Sequence, residues 1–280
     1  MTGAHEVIRT ALEEDVGPGD WTTLWTVPSG RTADAWIVAK ARGVVSGLDV
    51  AREVFRTVDA RLDVRLLLEE GARVEPGQRV VELHGAARSI LTGERVALNL
   101  LQRLSGVATI TRQYVDAVAG TGGRILDTRK TTPGLRALEK RAVRAGGGEN
   151  HRFGLHDMVL IKENHIAAAG GISAAVARVR EANHRGLRIE VEATTLAEVD
   201  EVLANVAHRI LFDNMPLPLL HEAVERVRSH RGPRLEMEAS GGISLETVRG
   251  VAETGVDFIS VGALTHSAPA LDLSLLISAR

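Results

Sequence analysis

Beyond Gly123 the sequence settles into an alternation that few architectures accommodate: short apolar strands at 124–127, 158–162, 187–193, 209–213, 235–240 and 258–262, separated by helical stretches. Strands joined by helix-length segments build a parallel sheet covered by helices. The helices have legible ends. Pro133 opens one that Gly146 closes, Thr195 and Glu198 form a capping box for another, and Ser244 stands where it would cap the one after Gly241-Gly242. Six such units fit a β/α barrel or a doubly wound sheet. A doubly wound sheet gathers its ligands at one switch point and usually opens with a glycine-rich turn, whereas the first strand here ends in Thr128-Arg129-Lys130. Polar residues or glycines close every later strand too, at Lys162-Glu163-Asn164-His165, Glu192, Asp213-Asn214, Ser240-Gly241-Gly242 and Gly262. A barrel distributes its chemistry in this way, so the expected fold class is α/β with a parallel β/α barrel.

The first hundred residues differ in rhythm, mixing short alternating strands (35–40, 62–68 and 79–83, with a Pro76-Gly77 turn) with short helices, which predicts a small α+β unit. A long helical pattern follows over 93–119, with Val96, Leu100, Leu104 and Val107 forming an apolar stripe. The 280 residues, 44% hydrophobic and 25% charged, suffice for one large domain or two smaller ones. With 34 Lys and Arg against 36 Asp and Glu, no global field draws the chain onto nucleic acid, and 3% aromatic residues are too few for base-stacking platforms. No nucleic-acid partner is expected. The absence of cysteine removes disulfides, thiolate metal sites and cysteine nucleophiles together. Glu6, Arg9, Glu13, Glu14 and Asp15 are unlike a signal peptide, and no long apolar run occurs. The expectation is a cytoplasmic protein with no membrane partner.

Local charge is another matter. Residues 124–165 hold nine Lys or Arg against five acids, an excess of four positive charges in a chain of net −2. A multiply charged anion is the natural ligand: Arg129 and Arg152 suit bidentate grip of carboxylate or phosphate, with Lys130 and Lys162 as point charges beside them. Arg136, Lys140, Arg141 and Arg144 read instead as a solvated helix face. Gly146-Gly147-Gly148 before Asn150-His151-Arg152 reads as a mobile loop over the site, since a helix stop accounts for one glycine and not three. Glu192 and Asp213, ending neighbouring strands, are placed to hold Mg²⁺, bond ribose hydroxyls, or balance charge. Zinc is disfavoured because His151, His156 and His165 lack the HExxH spacing and no thiolate exists. Ser240-Gly241-Gly242 and Gly262 are the kind of turn that receives phosphate, at the last two strands where barrels commonly place it. A phosphate at one side of the mouth and a cationic pocket at the other imply a phosphorylated sugar meeting an acidic small molecule.

The run DTRKTTPGLR from Asp127, continuing through LEK to GGGENHRFGLHD and LIKENHI, is followed by EVE around Glu192, LFDNM, EASGGI and ISVGALTHS. With GERVALNLLQRLSGVAT from Gly93, these blocks run nearly end to end, and the chain strongly resembles the quinolinate phosphoribosyltransferases, also called nicotinate-nucleotide pyrophosphorylases (carboxylating). The resemblance implies an N-terminal α/β sandwich domain over 1–105, to which 266–280 return, and an incomplete β/α barrel over 106–265. It implies transfer of phosphoribosyl from phosphoribosyl pyrophosphate to quinolinate with decarboxylation, giving nicotinate mononucleotide, pyrophosphate and CO₂ in de novo NAD synthesis. By resemblance Arg129, Arg152 and Lys162, with Thr128 and His151, line the quinolinate pocket, and Lys130 and Lys162 face the pyrophosphate. Glu192 and Asp213 hold the ribose and Mg²⁺, and Ser240, Gly241, Gly242 and Gly262 hold the 5′-phosphate. Family members are dimers or larger, and Arg95 would be donated to the neighbouring subunit's site. Arg141 and Glu163 stand where many relatives have Tyr and Asp. The rival enzyme reading is a Schiff-base lyase on Lys162, which borohydride trapping would reveal.

Overall fold

The computed structural model describes residues 3–279 and divides into two units, Met1–Arg112 with Thr131–Gly147 and Ala263–Arg280, and Gln113–Lys130 with Gly148–Gly262. Met1, Thr2 and Arg280, which the expected domain bounds include, lie outside the described residues. The segment 131–147, read from sequence as part of the barrel, groups with the first unit.

In the first unit β1 (Thr32–Ala39), β2 (Gly43–Val44), β3 (Asp63–Leu66), β4 (Arg73–Val74) and β5 (Arg79–Ala86) precede the long helix Ala87–Ala117. The last strand of the chain, β12 (Leu273–Ala279), pairs antiparallel with β1, from Ala33↔Ala279 to Ala39↔Leu273, completing a sheet of order β12-β1-β5-β3. Alternation decides which face is core: Ala33, Ala35, Ile37 and Ala39 are fully buried, and the helix Leu48–Val58 buries Leu48, Ala51, Val54 and Phe55. The stripe predicted on the long helix is buried as expected, but the helix starts at Ala87 rather than 93.

The helix Arg136–Ala145 departs from the solvated basic face expected of it. Arg141 and Arg144 are exposed, but Lys140 is buried, and so is Glu139. Glu139 accepts from the Arg103 guanidinium at 2.7 Å and from the Thr132 hydroxyl at 2.8 Å, while Arg103 also donates to the Ala268 carbonyl at 2.9 Å and to that of Thr265. A buried acid needs such partners, and the charged one, Arg103, comes from the long helix, distant in sequence. Arg141 donates to Asp49 at 2.7 Å. The triglycine has local reasons beyond a loop over the site. Gly146 ends this helix and lies so close to the Ala108 carbonyl, 2.5 Å from where a Cβ would stand, that a side chain has no room, and Gly147 has φ +89°.

The second unit is a six-stranded parallel sheet: β6 (Arg124–Leu126), β7 (Val159–Ile161), β8 (Ile189–Ala193), β9 (Arg209–Asp213), β10 (Glu236–Ser240) and β11 (Phe258–Ser260). Its order is β6-β11-β10-β9-β8-β7, so β6 and β7 form the two edges and the barrel is incomplete, as expected. Every predicted strand is present, most of them trimmed at the ends. The Thr195–Glu198 capping box forms as predicted. Ser244 does not cap a helix; its carbonyl opens a turn, and the helix begins only at Val248.

The four inner strands, β8 to β11, each have one apolar face and one face bearing polar residues, most of them buried. Ile189, Val191, Ile210, Phe212, Met237, Ala239 and Ile259 alternate with Glu190, Glu192, Arg209, Asp213, Glu236, Glu238 and Ser260. Parallel strands usually read as continuous apolar runs. Register brings the polar set together, setting Glu190 and Glu236 beside Arg209, and Ser240 beside both Asp213 and Ser260.

Candidate active site

At the carboxyl ends of these strands lies a cavity of about 410 Å³, within the usual range for small-molecule sites. Thr128, Arg129, Lys130, His151, Arg152, Lys162, Asp213, Ser240, Gly241 and Gly242 line it, all of them residues singled out in the sequence. Three others are placed differently. Glu192 is buried beside Lys162, Gly262 follows β11 without lining the cavity, and Arg95 is exposed on the long helix of the first unit.

The cationic side is built from two segments. Asp127, fully buried at the end of β6, accepts from the Asn150 side chain at 2.6 Å and from the His151 main-chain N–H at 2.9 Å, tying the loop before β7 to β6. Arg152 follows, its guanidinium donating to the Met158 carbonyl at 3.1 Å. Burial, then the positive field of Arg129, holds Arg152 below the ordinary arginine range, with Glu190 and Asp157 opposing. Two guanidiniums that repel each other in a partly buried wall favour a ligand with more than one negative charge.

The opposite side carries carboxylates and glycines. Asp213 receives the Asn214 side-chain amide at 2.7 Å, and Asn214 has φ +53°, the one positive-φ residue besides glycine among those described. Gly241, at φ +97°, passes so close to Asn214 that any side chain would clash with its backbone nitrogen, 2.9 Å from the Cβ position. Backbone exposed in this way at a strand end suits an anion. Glu192 accepts from the Glu163 main-chain N–H at 3.2 Å and pairs with Lys162 at 3.3 Å. Glu192, buried beside Lys162, and Asp213, on the cavity wall, are hard oxygen donors of the kind magnesium takes.

Sequence reasoning missed the floor. His151 faces Glu190 at 3.0 Å and Glu238 at 3.5 Å; Glu238 also accepts from Arg209 at 2.8 Å and from the Ser260 hydroxyl at 2.5 Å. Arg209 reaches Glu236 at 3.0 Å and lies 4.0 Å from the Phe258 ring centre. Burial, then the adjacent Glu190, pushes Glu238 up to about 7, while burial raises Glu190 against the pull of Arg209. Burial alone would lower Arg209; Glu190 and Glu238 outweigh it and hold it above its ordinary value. The available signal was a pair of acids at alternate positions in each of β8 and β10, Glu190 with Glu192 and Glu236 with Glu238, and Arg209 opening β9, in strands that should be apolar.

Residues 107–276 match the family described as "Quinolinate phosphoribosyl transferase, C-terminal domain", and 20–105 match its N-terminal domain. The chain belongs to the quinolinate phosphoribosyl transferase family. Within that family it is 48% identical over 275 residues to the nicotinate-nucleotide pyrophosphorylase (carboxylating) of Mycobacterium leprae, covering 97% of this chain and 96% of that one. It is 45% identical to quinolinate phosphoribosyltransferase (decarboxylating) 1b of Nicotiana tabacum, covering 97% of this chain and 81% of that one. Among solved structures of the family it superposes on NadC from Streptococcus pyogenes with a TM-score of 0.93 at 39% identity, covering 99% of this chain and 96% of that one. No helix among the described residues is long and apolar enough to cross a membrane.

Proposed function

We propose that the protein transfers the phosphoribosyl group of phosphoribosyl pyrophosphate to the ring nitrogen of quinolinate and releases the 2-carboxylate as CO₂, giving nicotinate mononucleotide and pyrophosphate in de novo NAD synthesis. The observation that carries this is one cavity lined by Arg129, Lys130, Arg152 and Lys162 on one side and Asp213, Ser240, Gly241 and Gly242 on the other. A dianionic acid and a phosphorylated sugar are the complementary ligands.

Arg129 and Arg152 grip the two carboxylates, with Thr128, His151 and Lys162 completing the wall, so that the ring nitrogen faces C1 of the ribose. Orientation of this kind replaces an unfavourable encounter with a nearly unimolecular step. Lys130 and Lys162 meet the pyrophosphate as negative charge grows on it. Glu192 and Asp213 accept from the ribose hydroxyls, and the turn at Ser240, Gly241 and Gly242, with Gly262, takes the 5′-phosphate. Glu192 and Asp213 also suit Mg²⁺, which when bound supplies positive charge to the phosphate oxygens. Once the N-glycosidic bond forms, the ring nitrogen is cationic and stabilises the carbanion left at C2 by loss of CO₂, which then takes a proton from water to give nicotinate mononucleotide, so no separate cofactor is needed for decarboxylation.

The working assembly is a homodimer or larger, with Arg95 lent to the neighbouring subunit's site. Its exposure on the helix Ala87–Ala117 supports this. Mixing two impaired variants, R95A and R129A, should restore activity at low quinolinate, because a mixed dimer has one site with both arginines; no restoration refutes the donation. For the reaction itself, the purified protein is given quinolinate, phosphoribosyl pyrophosphate and Mg²⁺, and nicotinate mononucleotide and CO₂ are followed together. Both should appear only with all three additions, and the absence of both refutes the assignment.

A further inference from the structure

Beneath the cavity lies a chain of contacts that the transfer as described does not use. The main-chain N–H of Arg152 donates to His151 Nδ1 at 2.7 Å. A nitrogen that accepts carries no proton, so the proton of the neutral ring is on Nε2. Nε2 meets Glu190 Oε2 at 3.0 Å. Both ring nitrogens are therefore committed within the protein, and the ring offers a ligand its face and C–H edge. Glu190 is fully buried, and its other oxygen, Oε1, has no hydrogen-bond partner. A buried carboxylate kept with so few partners calls for an explanation.

We propose that Glu190 is a positioning residue for quinolinate: it fixes the His151 ring in the Nε2–H form, and Nδ1 of that ring fixes the peptide of Arg152, the arginine that grips the dicarboxylate. The second anchor of Arg152 is the Met158 carbonyl, 3.1 Å from Nη1. With the peptide and one guanidinium nitrogen both held, the side chain has little freedom to swing when empty, and less ordering remains to be done on binding. The ligand atoms of His151, Glu190 and Glu238 lie within 4.8 Å of one another, close enough for a metal ion. That reading is disfavoured because both Glu238 oxygens already accept, from Ser260 and Arg209, and Arg209 supplies the positive charge.

The inference rests on the proposed reaction, and the experiment separates the two. With the full chain, each substrate is varied in turn. Glu190→Ala should raise the quinolinate KM about tenfold, the scale of one lost orienting hydrogen bond, and leave that of phosphoribosyl pyrophosphate within about twofold. Glu190→Gln, whose amide oxygen still accepts from Nε2–H, should bring the quinolinate KM back to within about threefold of wild type. Adding E190A to H151A should change the quinolinate KM no further. An unchanged quinolinate KM in E190A, an E190Q as impaired as E190A, or a further loss in the double variant each overturns the proposal. Should E190A fail to fold, nitrogen-15 spectra of histidine-labelled wild type still decide, with His151 identified by its absence in H151A. Nδ1 should be unprotonated and Nε2 protonated at neutral pH; an imidazolium or an Nδ1–H ring overturns the relay. A wild-type protein that turns over no quinolinate refutes the reaction instead, and the spectrum still tests the relay.

Discussion

Replacing Glu238 with Gln should flatten the dependence of stability on pH between 5 and 8. Glu238 is raised from 4.5 to about 7 by burial and by the neighbouring Glu190, and the opposing influences of His151, Ser260 and Arg209 are too weak to prevent it, Arg209 being shared with Glu236. An acid with a higher pKa folded than unfolded binds its proton more tightly in the native state. Its stabilising contribution is therefore complete below about pH 4.5 and is lost as pH rises towards 7. At about 1.4 kcal/mol per pH unit the whole window is worth roughly 3 kcal/mol, of which about 2 to 3 kcal/mol falls between pH 5 and pH 8. Asp157, Glu198 and Glu236 are held low and have the opposite sign, losing stability as pH falls through their folded values, below this window. Glutamine keeps the shape, its amide oxygen accepting from Arg209 and its NH₂ donating to the Ser260 hydroxyl, and removes the titration together with its coupling to Glu190, so the difference between E238Q and wild type reads the ionisation of Glu238. Melting followed by circular dichroism at pH 5, 6, 7 and 8 is the assay. The two proteins should melt closest together at pH 5, with E238Q gaining roughly 5–10 °C on wild type by pH 8. Parallel profiles across that range would refute the reasoning.

Arg129→Ala should raise the quinolinate KM by about 100-fold, the scale of a lost charged hydrogen-bonding pair, with a smaller effect on phosphoribosyl pyrophosphate; an unchanged quinolinate KM in steady-state kinetics sinks the assignment. Gly106→Ala, which inside an ordinary helix gains about 1 kcal/mol, should instead lower the melting temperature, because the new Cβ would run into the Pro269 carbonyl. Thr195→Ala should cost about 1 kcal/mol by removing the cap that accepts from the Glu198 N–H, read as a fall in melting temperature of about 2–4 °C.

Much of the fold was legible because strand and helix periods differ and their boundaries carry chemistry. The alternation after Gly123 located all six barrel strands, the polar ends of those strands chose the barrel and eight residues of the cavity wall, and the segment after the triglycine added His151 and Arg152. Where the reading went astray at the helix Arg136–Ala145, the deciding contact came from far along the chain. Nothing near Lys140 or Glu139 in sequence reveals that Arg103 waits for Glu139 in a buried site. Ser244 has the right residue type for a cap, yet its turn closes on Thr247 before the helix starts.

The floor of the site was illegible for a related reason. Glu190, Arg209 and Glu238 lie within strands, where a charge is read as an exposed edge or an error in the strand assignment. Only register shows that they neutralise one another: β8, β9 and β10 must pair in that order and at that offset for Arg209 to stand between acids from both sides. The arrangement is costly, since it leaves one acid with a pKa pushed to about 7 and another with an oxygen lacking any hydrogen-bond partner. An apolar floor of equal volume would fold at least as well, but it would have nothing to hold the Nε2 proton of His151. The polar floor is therefore better understood through what it orients above it than through what it adds to stability.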